Sequence, residues 1–188
     1  KGVNMKRHYT VIVVIAMLLA LIFTGCAKKE AETIKIGVAG AHSGDLASYG
    51  LPSVNAAKLV VEDWNAKGGL LGKQIELVIE DDVCKPEVST NTASKLVGEG
   101  VVAVMGHICS GATKPALPIY LESGLVSISP SATNVALAEY DNFFRTIAPD
   151  DAQSRMIVDF ALDTLGARKI AVLHDKGDYG KGLADFAK

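Results

Sequence analysis

The sequence predicts an α/β fold in which helices cover both faces of a parallel β-sheet. Strand-like and helix-like segments alternate strictly after residue 33, which is the order expected of successive βαβ units. The run VVAVMG (101–106) shows no alternation of apolar and polar residues, which indicates a strand buried on both faces. No internal repeat is found, and 188 residues correspond to one domain or to one domain and part of another.

The first part of the series reads as two βα units. TIKIGVAG (33–40) predicts the first strand, and apolar residues then recur at helical spacing over 50–69, where a Gly-Gly pair ends the helix. QIELVIED (74–81) alternates as a strand does. Pro86 suits the first turn of the second helix, which extends through EVSTNTASKLVGEG to a glycine.

The later elements continue this alternation after the strand at 101–106. Pro115 fits the first turn of the third helix, whereas Pro118 lies in its middle. The final helical pattern reaches Lys188 without a cap or stop signal, so we expect the chain to be the N-terminal part of a longer protein. The predicted elements are a helix near 111–123, a strand at LVSIS (125–129), an edge-like strand at NFFRTI (142–147), a helix from Asp150 or Asp151 to Gly166, a buried strand at KIAVLHD (169–175) and the start of a helix at YGKGLADFAK (179–188).

The first 25 residues are predicted to be a lipoprotein signal peptide. Two basic residues follow Met5, the expected start, and the uncharged run 11–23 is too short to cross a bilayer as a helix, which takes about 20 residues. The run ends in FTGCAKKE, which looks like a bacterial lipobox and implies that Cys26 is lipidated and becomes the mature N-terminus. A plain signal cleaved nearby, or an uncut N-terminal anchor, is the alternative. Residues 26–33 read as a polar tether.

The charge balance argues against nucleic acid as a partner. Removing residues 1–25 takes away three of the 19 basic residues and none of the 21 acidic ones, which leaves a net charge of −5. The remaining sequence has no long basic stripe of the kind that binds phosphate backbones. We therefore expect no nucleic-acid function.

Cysteine usage agrees with export. The chain has three cysteines, and if Cys26 carries lipid, Cys84 and Cys109 remain as a pair. An oxidising compartment lets such a pair form a disulfide. The alternative is two free, buried thiols.

Small polar residues follow three of the predicted strands, in HSGDLASYG, CSGAT and PSAT. Ligands of open α/β sheets bind beyond the carboxyl ends of the strands. Ser110 and Gly111 would open a helix, where backbone N–H groups lack intrahelical partners and the helix dipole favours an anion. Thr133 offers both a donor and an acceptor. These turns predict a site for a carboxylate and an ammonium, and ordinary N-capping is the alternative.

A catalytic interpretation has less support. The serines at these strand ends do not fit the G-x-S-x-G nucleophile elbow. Cys109 could act as a nucleophile only as a free thiolate with a base such as His107 nearby. His174 and Asp175 could supply a base, but no partner nucleophile is evident. We predict that the chain is not an enzyme and requires no metal or cofactor.

Several separated motifs together resemble one family. The match runs in order over about residues 34–188 with closely similar spacing, and the family is the branched-chain amino-acid (Leu/Ile/Val) binding proteins of ABC importers, which have the periplasmic binding protein type I fold. The motifs are AGAHSGDLASYG, NAKGGLLGKQIELVIEDDVCKP, VMGHICSGATKPALPIY, ISPSATN, FFRT and HDKGDYGKGLA.

The resemblance implies two α/β lobes that close on an amino acid about a hinge. Residues 34–147 would form an incomplete first lobe, and residues 148–188 the hinge and the start of a second lobe. It also implies a disulfide between Cys84 and Cys109.

The resemblance further implies a set of ligand contacts. Ser110 and Thr133 would hold the α-carboxylate and the α-ammonium. The remaining implied contacts are the backbone of Ser131 and Ala132, the wall residue Ile108, Tyr49 from the first lobe and Tyr179 from the second.

The expected function is solute capture without chemistry. The protein would be a lipid-anchored binding protein of the periplasm or cell surface that captures an amino acid of the Leu/Ile/Val class and delivers it to an ABC permease in the membrane. The alternatives are a binding protein for amides, urea or small carboxylates, and a sensory ligand-binding module.

Overall fold

The computed structural model describes Tyr9 and residues 32–188. The predicted signal peptide, apart from Tyr9, the lipidation site Cys26 and most of the tether lie outside the described residues. The described elements are β1 (Ile34–Gly40), α1 (Ala47–Ala66), β2 (Ile75–Asp81), α2 (Pro86–Gly98), β3 (Ala103–Met105), α3 (Ser110–Glu122), β4 (Val126–Ser129), a 3₁₀-helix (Val135–Glu139), β5 (Phe143–Arg145), α4 (Asp150–Asp159) continued by a π-helical turn (Phe160–Thr164), and α5 (Asp178–Phe186).

The five strands form one parallel sheet in the order β2-β1-β3-β4-β5. The chain steps from β1 to one side to form β2, and then crosses back to form β3 on the other side of β1. Because parallel crossovers are right-handed, this reversal places α1 on one face of the sheet and α2 on the other. The predicted α/β fold with a parallel sheet is confirmed. The reversal also creates a switch point at the carboxyl ends of β1 and β3, where ligands of such sheets bind.

The main core lies between the sheet and the helices α2 and α3. Its largest buried side chains are Leu96 of α2 and Tyr120 of α3, which pack with Val104 of β3. Gly37 of β1 leaves room for Leu96, since a Cβ added there would lie 3.1 Å from both Leu96 methyl carbons. This packing fixes the start of α3 against the end of β3.

Helix α3 continues through both of its prolines. Each proline removes one internal hydrogen bond from a helix. Leu117 and Tyr120, which flank Pro118, are completely buried, so tertiary packing outweighs this loss. On the opposite side of the sheet, α1 packs against β1 and β2. Its Gly50 lies so close to the end of β1 that a Cβ there would overlap the carbonyl oxygen of Ala41, the residue after the strand.

The predicted strand at KIAVLHD (169–175) is wrong, because these residues form no regular secondary structure. A strand is stable only when its backbone groups pair with a neighbour, and among residues 32–188 no strand lies beside this segment. Leu173 is accordingly 91% exposed. The described helices include none that is long and apolar enough to span a membrane.

Candidate ligand-binding site

A cavity of about 350 Å³ opens at the carboxyl end of the sheet. The turns after β1, β3, β4 and β5 all contribute to it, together with the first turns of α4 and α5. Its lining residues are Leu46, Tyr49, Ile108, Cys109, Ser110, Ser131, Thr133, Ile147, Gln153 and Tyr179. Six of the seven predicted contact residues therefore line one cavity, and the seventh, Ala132, is completely buried beside it.

Ser110 is the first residue of α3 and is only 2% exposed. Its Oγ accepts a hydrogen bond from the Asn134 backbone N–H at 3.2 Å. The hydroxyl hydrogen is therefore free to donate into the cavity. Within residues 32–188, the backbone N–H groups of Ser110 and Gly111 have no hydrogen-bond acceptor, as expected at the start of a helix. The start of α3 therefore presents several donors at one point.

Thr133 lies close to Ser110, in the turn after β4, and the residue after it is the Asn134 whose N–H contacts Ser110. Its Oγ1 is buried and lacks a hydrogen-bond partner in the described part of the chain, and the residue is 3% exposed. Such buried hydroxyls are nearly always paired in folded proteins. An unpaired hydroxyl on a cavity wall is therefore available to a ligand.

The turn that carries Thr133 is held by Ser129 at the end of β4. Ser129 Oγ accepts the backbone N–H groups of Ser131 at 3.3 Å and of Ala132 at 2.9 Å, and it donates to the His107 carbonyl at 2.5 Å. Ser131 Oγ donates to the Ile108 carbonyl at 2.6 Å. These hydrogen bonds join the turn after β3 directly to the turn after β4. The N–H groups of Ser131 and Ala132 are both engaged in this way, and the ligand contacts predicted for the backbone of these two residues stay predictions.

The rest of the cavity is apolar. Ile108 is buried in its floor, whereas Tyr49 and Tyr179 are 70% and 49% exposed at its mouth. Helix α5, which carries Tyr179, is held by an ion pair between Lys114 Nζ and Asp178 Oδ1 at 3.2 Å. Asn134 Nδ2 also donates to the Asp178 carbonyl at 2.7 Å. These contacts place Tyr179 over the cavity.

The cavity floor is fastened by a disulfide between Cys84 and Cys109, with Cα atoms 5.5 Å apart. Neither sulfur is a free thiol, which excludes Cys109 as a thiolate nucleophile and removes the alternative of two free cysteines. The predicted pairing is observed. His107 does not activate a sulfur either, because both of its ring nitrogens are engaged elsewhere.

A buried polar network lies directly beneath this floor. His107 Nδ1 is 2.5 Å from Asp82 Oδ2, and His107 Nε2 is 2.9 Å from the Tyr120 hydroxyl. Asp82 Oδ1 accepts the Cys84 N–H at 2.7 Å. Burial, and then the Asp82 charge, raise the pKa of Tyr120, so its hydroxyl stays protonated. The network therefore ties the same two loops that the disulfide joins.

Several residues that shape the site were not singled out by any sequence pattern. Leu46, Ile147 and Gln153 line the cavity. Asp150, the first residue of α4, is completely buried next to Thr133, whose carbonyl accepts its N–H at 3.0 Å. An acidic residue at a helix start is ordinary in a sequence, so only its burial distinguishes Asp150. The described residues contain no cluster of His, Cys, Asp or Glu that could hold a metal ion, and exposed His174 lies outside the cavity.

The chain is similar to known binding proteins. A sequence profile of the periplasmic binding protein family matches residues 33–188. The leucine-specific-binding protein of Salmonella typhimurium is 40% identical over 156 residues, which are 82% of this chain and 42% of that protein.

Two solved structures extend the comparison. The branched-chain amino acid transporter substrate binding protein of Streptococcus pneumoniae, in complex with isoleucine, has a TM-score of 0.78 and 36% identity over 82% of this chain and 45% of its own. A solute binding protein of an ABC transporter from Rhodopseudomonas palustris, in complex with 3,4-dihydroxy benzoic acid, has a TM-score of 0.73 and 26% identity over 82% of this chain and 42% of its own. The chain thus spans less than half the length of these relatives.

Proposed function

The chain belongs to the periplasmic binding protein family, and from this premise we propose that it forms the ligand-gripping part of a protein that captures a branched-chain amino acid outside the cytoplasm. Family membership confirms the resemblance drawn from the sequence motifs. Members of this family bind solutes without transforming them, so the chain is not an enzyme.

The observation that carries the proposal is the convergence of unpaired polar groups on one cavity. The free N–H groups and the hydroxyl at the start of α3 suit a carboxylate, which the helix dipole also favours. The unpaired Thr133 Oγ1 can accept from an ammonium. A zwitterion satisfies both sets of groups at once, and neither is satisfied within the described residues.

The apolar part of the cavity supports an aliphatic side chain. Leu46, Ile108 and Ile147 present hydrocarbon surface, and a cavity of about 350 Å³ has room for a small molecule. Burial of a Leu or Ile side chain is worth roughly 1.5–3 kcal/mol. The relatives named for leucine and isoleucine agree with this assignment.

Delivery and anchoring complete the proposal. Lipidation of Cys26 would hold the protein at the membrane, and the ligand would pass to an ABC permease after residues 34–147 and a second lobe close about a hinge near 148–151. Metabolic labelling with a radioactive fatty acid tests the anchor, because Cys26→Ala should abolish incorporation. Labelling that persists in this variant would contradict lipidation at Cys26.

A carboxylate without an amine is the second candidate ligand. The Rhodopseudomonas relative was solved with 3,4-dihydroxy benzoic acid, and the start of α3 would hold any carboxylate. Calorimetric titration of the protein at its full natural length with leucine, isoleucine, valine and 3,4-dihydroxybenzoate separates the two. We expect binding of the aliphatic amino acids.

Ser110→Ala tests the site itself. Loss of one hydrogen bond to a charged group costs roughly 1.5–3 kcal/mol, so leucine affinity should fall at least about tenfold. Ser123→Ala, at the exposed opposite end of α3, is the matched control and should bind as the parent does. Unchanged leucine binding in Ser110→Ala would contradict the proposed site.

A further inference from the structure

A buried carboxylate without a partner lies behind the ligand cavity. Asp150 is 0% exposed, and within residues 32–188 neither of its carboxylate oxygens has a hydrogen-bond partner. The same is true of the Thr133 hydroxyl oxygen. The Asp150 backbone N–H donates to the Thr133 carbonyl at 3.0 Å, so the two residues are adjacent.

The surroundings of this carboxylate leave it poorly compensated. Burial raises the pKa of Asp150, while the adjacent Thr133 hydroxyl, which is near the carboxylate without making a well-formed hydrogen bond to it, and the charge of Arg145 act in the opposite direction, and Asp151 adds to the rise. Arg145 Nη1 donates to the carbonyls of Ala132 and Asn134 at 3.3 and 3.0 Å. Its hydrogen bonds are thus directed at the turn and not at the carboxylate.

Helix α5 closes the other side of Asp150. A Cβ added to Gly182 would lie 2.8 Å from Asp150 Oδ2 and 2.8 Å from Asn134 Nδ2. The absence of a side chain at this position therefore lets the helix approach the carboxylate and shield it from water. Shielding strengthens any interaction between this charge and a cation nearby.

Burying an unpaired carboxylate is costly, so such a group points to a functional role. The start of α4 offsets part of the cost through its helix dipole. Thr133 both adjoins Asp150 and lines the cavity. When Thr133 donates its hydroxyl hydrogen towards Asp150, the lone pairs of Oγ1 face the cavity as acceptors.

We infer that Asp150 is a positioning residue that makes the cavity select amines, by orienting the Thr133 hydroxyl as an acceptor and placing a buried negative charge behind it. The inference rests on the proposed function, because it concerns the same cavity and names the part of the ligand that Asp150 recognises. The ligand class is a primary ammonium next to a carboxylate. Asp150 itself need not touch the ligand.

A purely structural role for Asp150 predicts something different. An acidic residue in the first turn stabilises a helix through the dipole, and its loss would lower stability without changing ligand preference. The two roles are separated by the ratio of two affinities. Leucine and 4-methylpentanoate share the carboxylate and the side chain and differ only in the amine.

The experiment titrates both ligands into the protein at its full natural length and into Asp150→Asn. We expect leucine affinity to fall about ten- to a hundredfold, because the variant removes the negative charge behind Thr133 and so weakens the hydrogen bond between its hydroxyl oxygen and the ammonium, a kind of bond that is worth about this factor; 4-methylpentanoate affinity should change little. Asp151→Asn is the matched control, since it removes the same charge from the next, exposed residue. This variant should keep the parent's preference for leucine.

Other outcomes overturn the inference in distinguishable ways. A parent protein that binds no amino acid overturns the proposed function together with the inference. A parent that binds leucine, with Asp150→Asn weakening both ligands equally or neither, overturns the inference alone. If Asp150→Asn does not fold, Thr133→Val removes the hydroxyl through which Asp150 acts and keeps the side-chain shape. This variant must show the same selective loss of leucine affinity, and an equal loss for both ligands would contradict the inference.

Discussion

Replacing Ser129 by alanine is the sharpest test of how the site is held together. Ser129 is completely buried at the end of β4, and its hydroxyl makes three hydrogen bonds. In two of them the Ser129 oxygen accepts the N–H groups of Ser131 and Ala132, which begin the turn to Thr133. In the third, the Ser129 hydroxyl donates to the His107 carbonyl in the neighbouring turn. The substitution takes this hydroxyl away from all three partners, and of these the completely buried Ala132 loses the acceptor of its N–H, while the His107 carbonyl keeps a hydrogen bond from Thr113 Oγ1 at 3.3 Å.

The expected loss of stability in Ser129→Ala follows from the number of these hydrogen bonds. A typical hydrogen bond contributes roughly 0.5–1.5 kcal/mol to stability, and more when its loss strands a buried partner. Ser129→Ala should therefore lower the free energy of unfolding by about 3 kcal/mol. Ser127, two residues earlier on the same strand face and equally buried, makes one side-chain hydrogen bond, a donation to the Gly106 carbonyl at 2.6 Å. Ser127→Ala should cost about 1 kcal/mol.

Denaturant unfolding and leucine titration of the two variants make the comparison. Both remove the same atom from the same buried face, so the difference of about 2 kcal/mol reports the extra hydrogen bonds. Ser129→Ala should also weaken leucine binding, because the turn that presents Thr133 loses its anchor and must be ordered by the ligand. Equal stability of the two variants, or full leucine affinity in Ser129→Ala, would refute this account of the turn.

Three further changes probe other parts of the fold. Burial lowers the pKa of His42 from 6.5, although the charges of Asp81 and Asp82 act against this shift, so the unfolded chain binds the proton more readily than the folded protein does. The free energy of unfolding should therefore fall as pH drops below about 6.5, by less than about 1.4 kcal/mol per pH unit. His42→Gln should reduce this pH-dependent loss in unfolding curves. Reducing the Cys84–Cys109 disulfide should lower the free energy of unfolding by about 3 kcal/mol, whereas a variant with alanine at both positions should not respond to reductant. Gly182→Ala should lower the free energy of unfolding, measured with denaturant, by about 1–3 kcal/mol, because its Cβ would lie 2.8 Å from Asp150 Oδ2 and Asn134 Nδ2. Gly98→Ala is the control, since nothing lies within 4 Å of a Cβ at this end of α2, and it should not lower the stability of the protein.

Local patterns predicted most of the fold because they depend on neighbours in sequence. The strand at TIKIGVAG and the helix opened by Pro86 follow from strand propensity and from the fixed φ of proline, and both are observed. The segment KIAVLHD has an equally clear strand pattern, but a strand also needs a pairing partner, which no local pattern specifies. The error therefore lies in tertiary pairing and not in propensity.

The site was predictable where it depends on strand ends, and unpredictable where it depends on burial. Ser110 and Thr133 follow strands in the sequence, so the topology rule brought them together. LVSIS was correctly predicted as a strand, yet its serines are buried while Val126 and Ile128 are 38% and 43% exposed. Hydrophobicity alone assigns the opposite faces, and the hydrogen bonds of Ser127 and Ser129 explain why two hydroxyls are placed inside.

The two polar groups of the cavity wall, at the start of α3 and at Thr133, are built by different means, and this difference limits what substitutions can do. At the α3 end, the donors to a carboxylate include backbone N–H groups, which side-chain substitutions leave in place. At the Thr133 end, acceptance of an ammonium depends on one hydroxyl and on the carboxylate of Asp150 behind it. Changes at the first end should therefore weaken every carboxylate ligand by a similar factor. Changes at the second should alter the choice between amino acids and simple acids, so ligand preference can shift through one buried residue while the carboxylate grip persists.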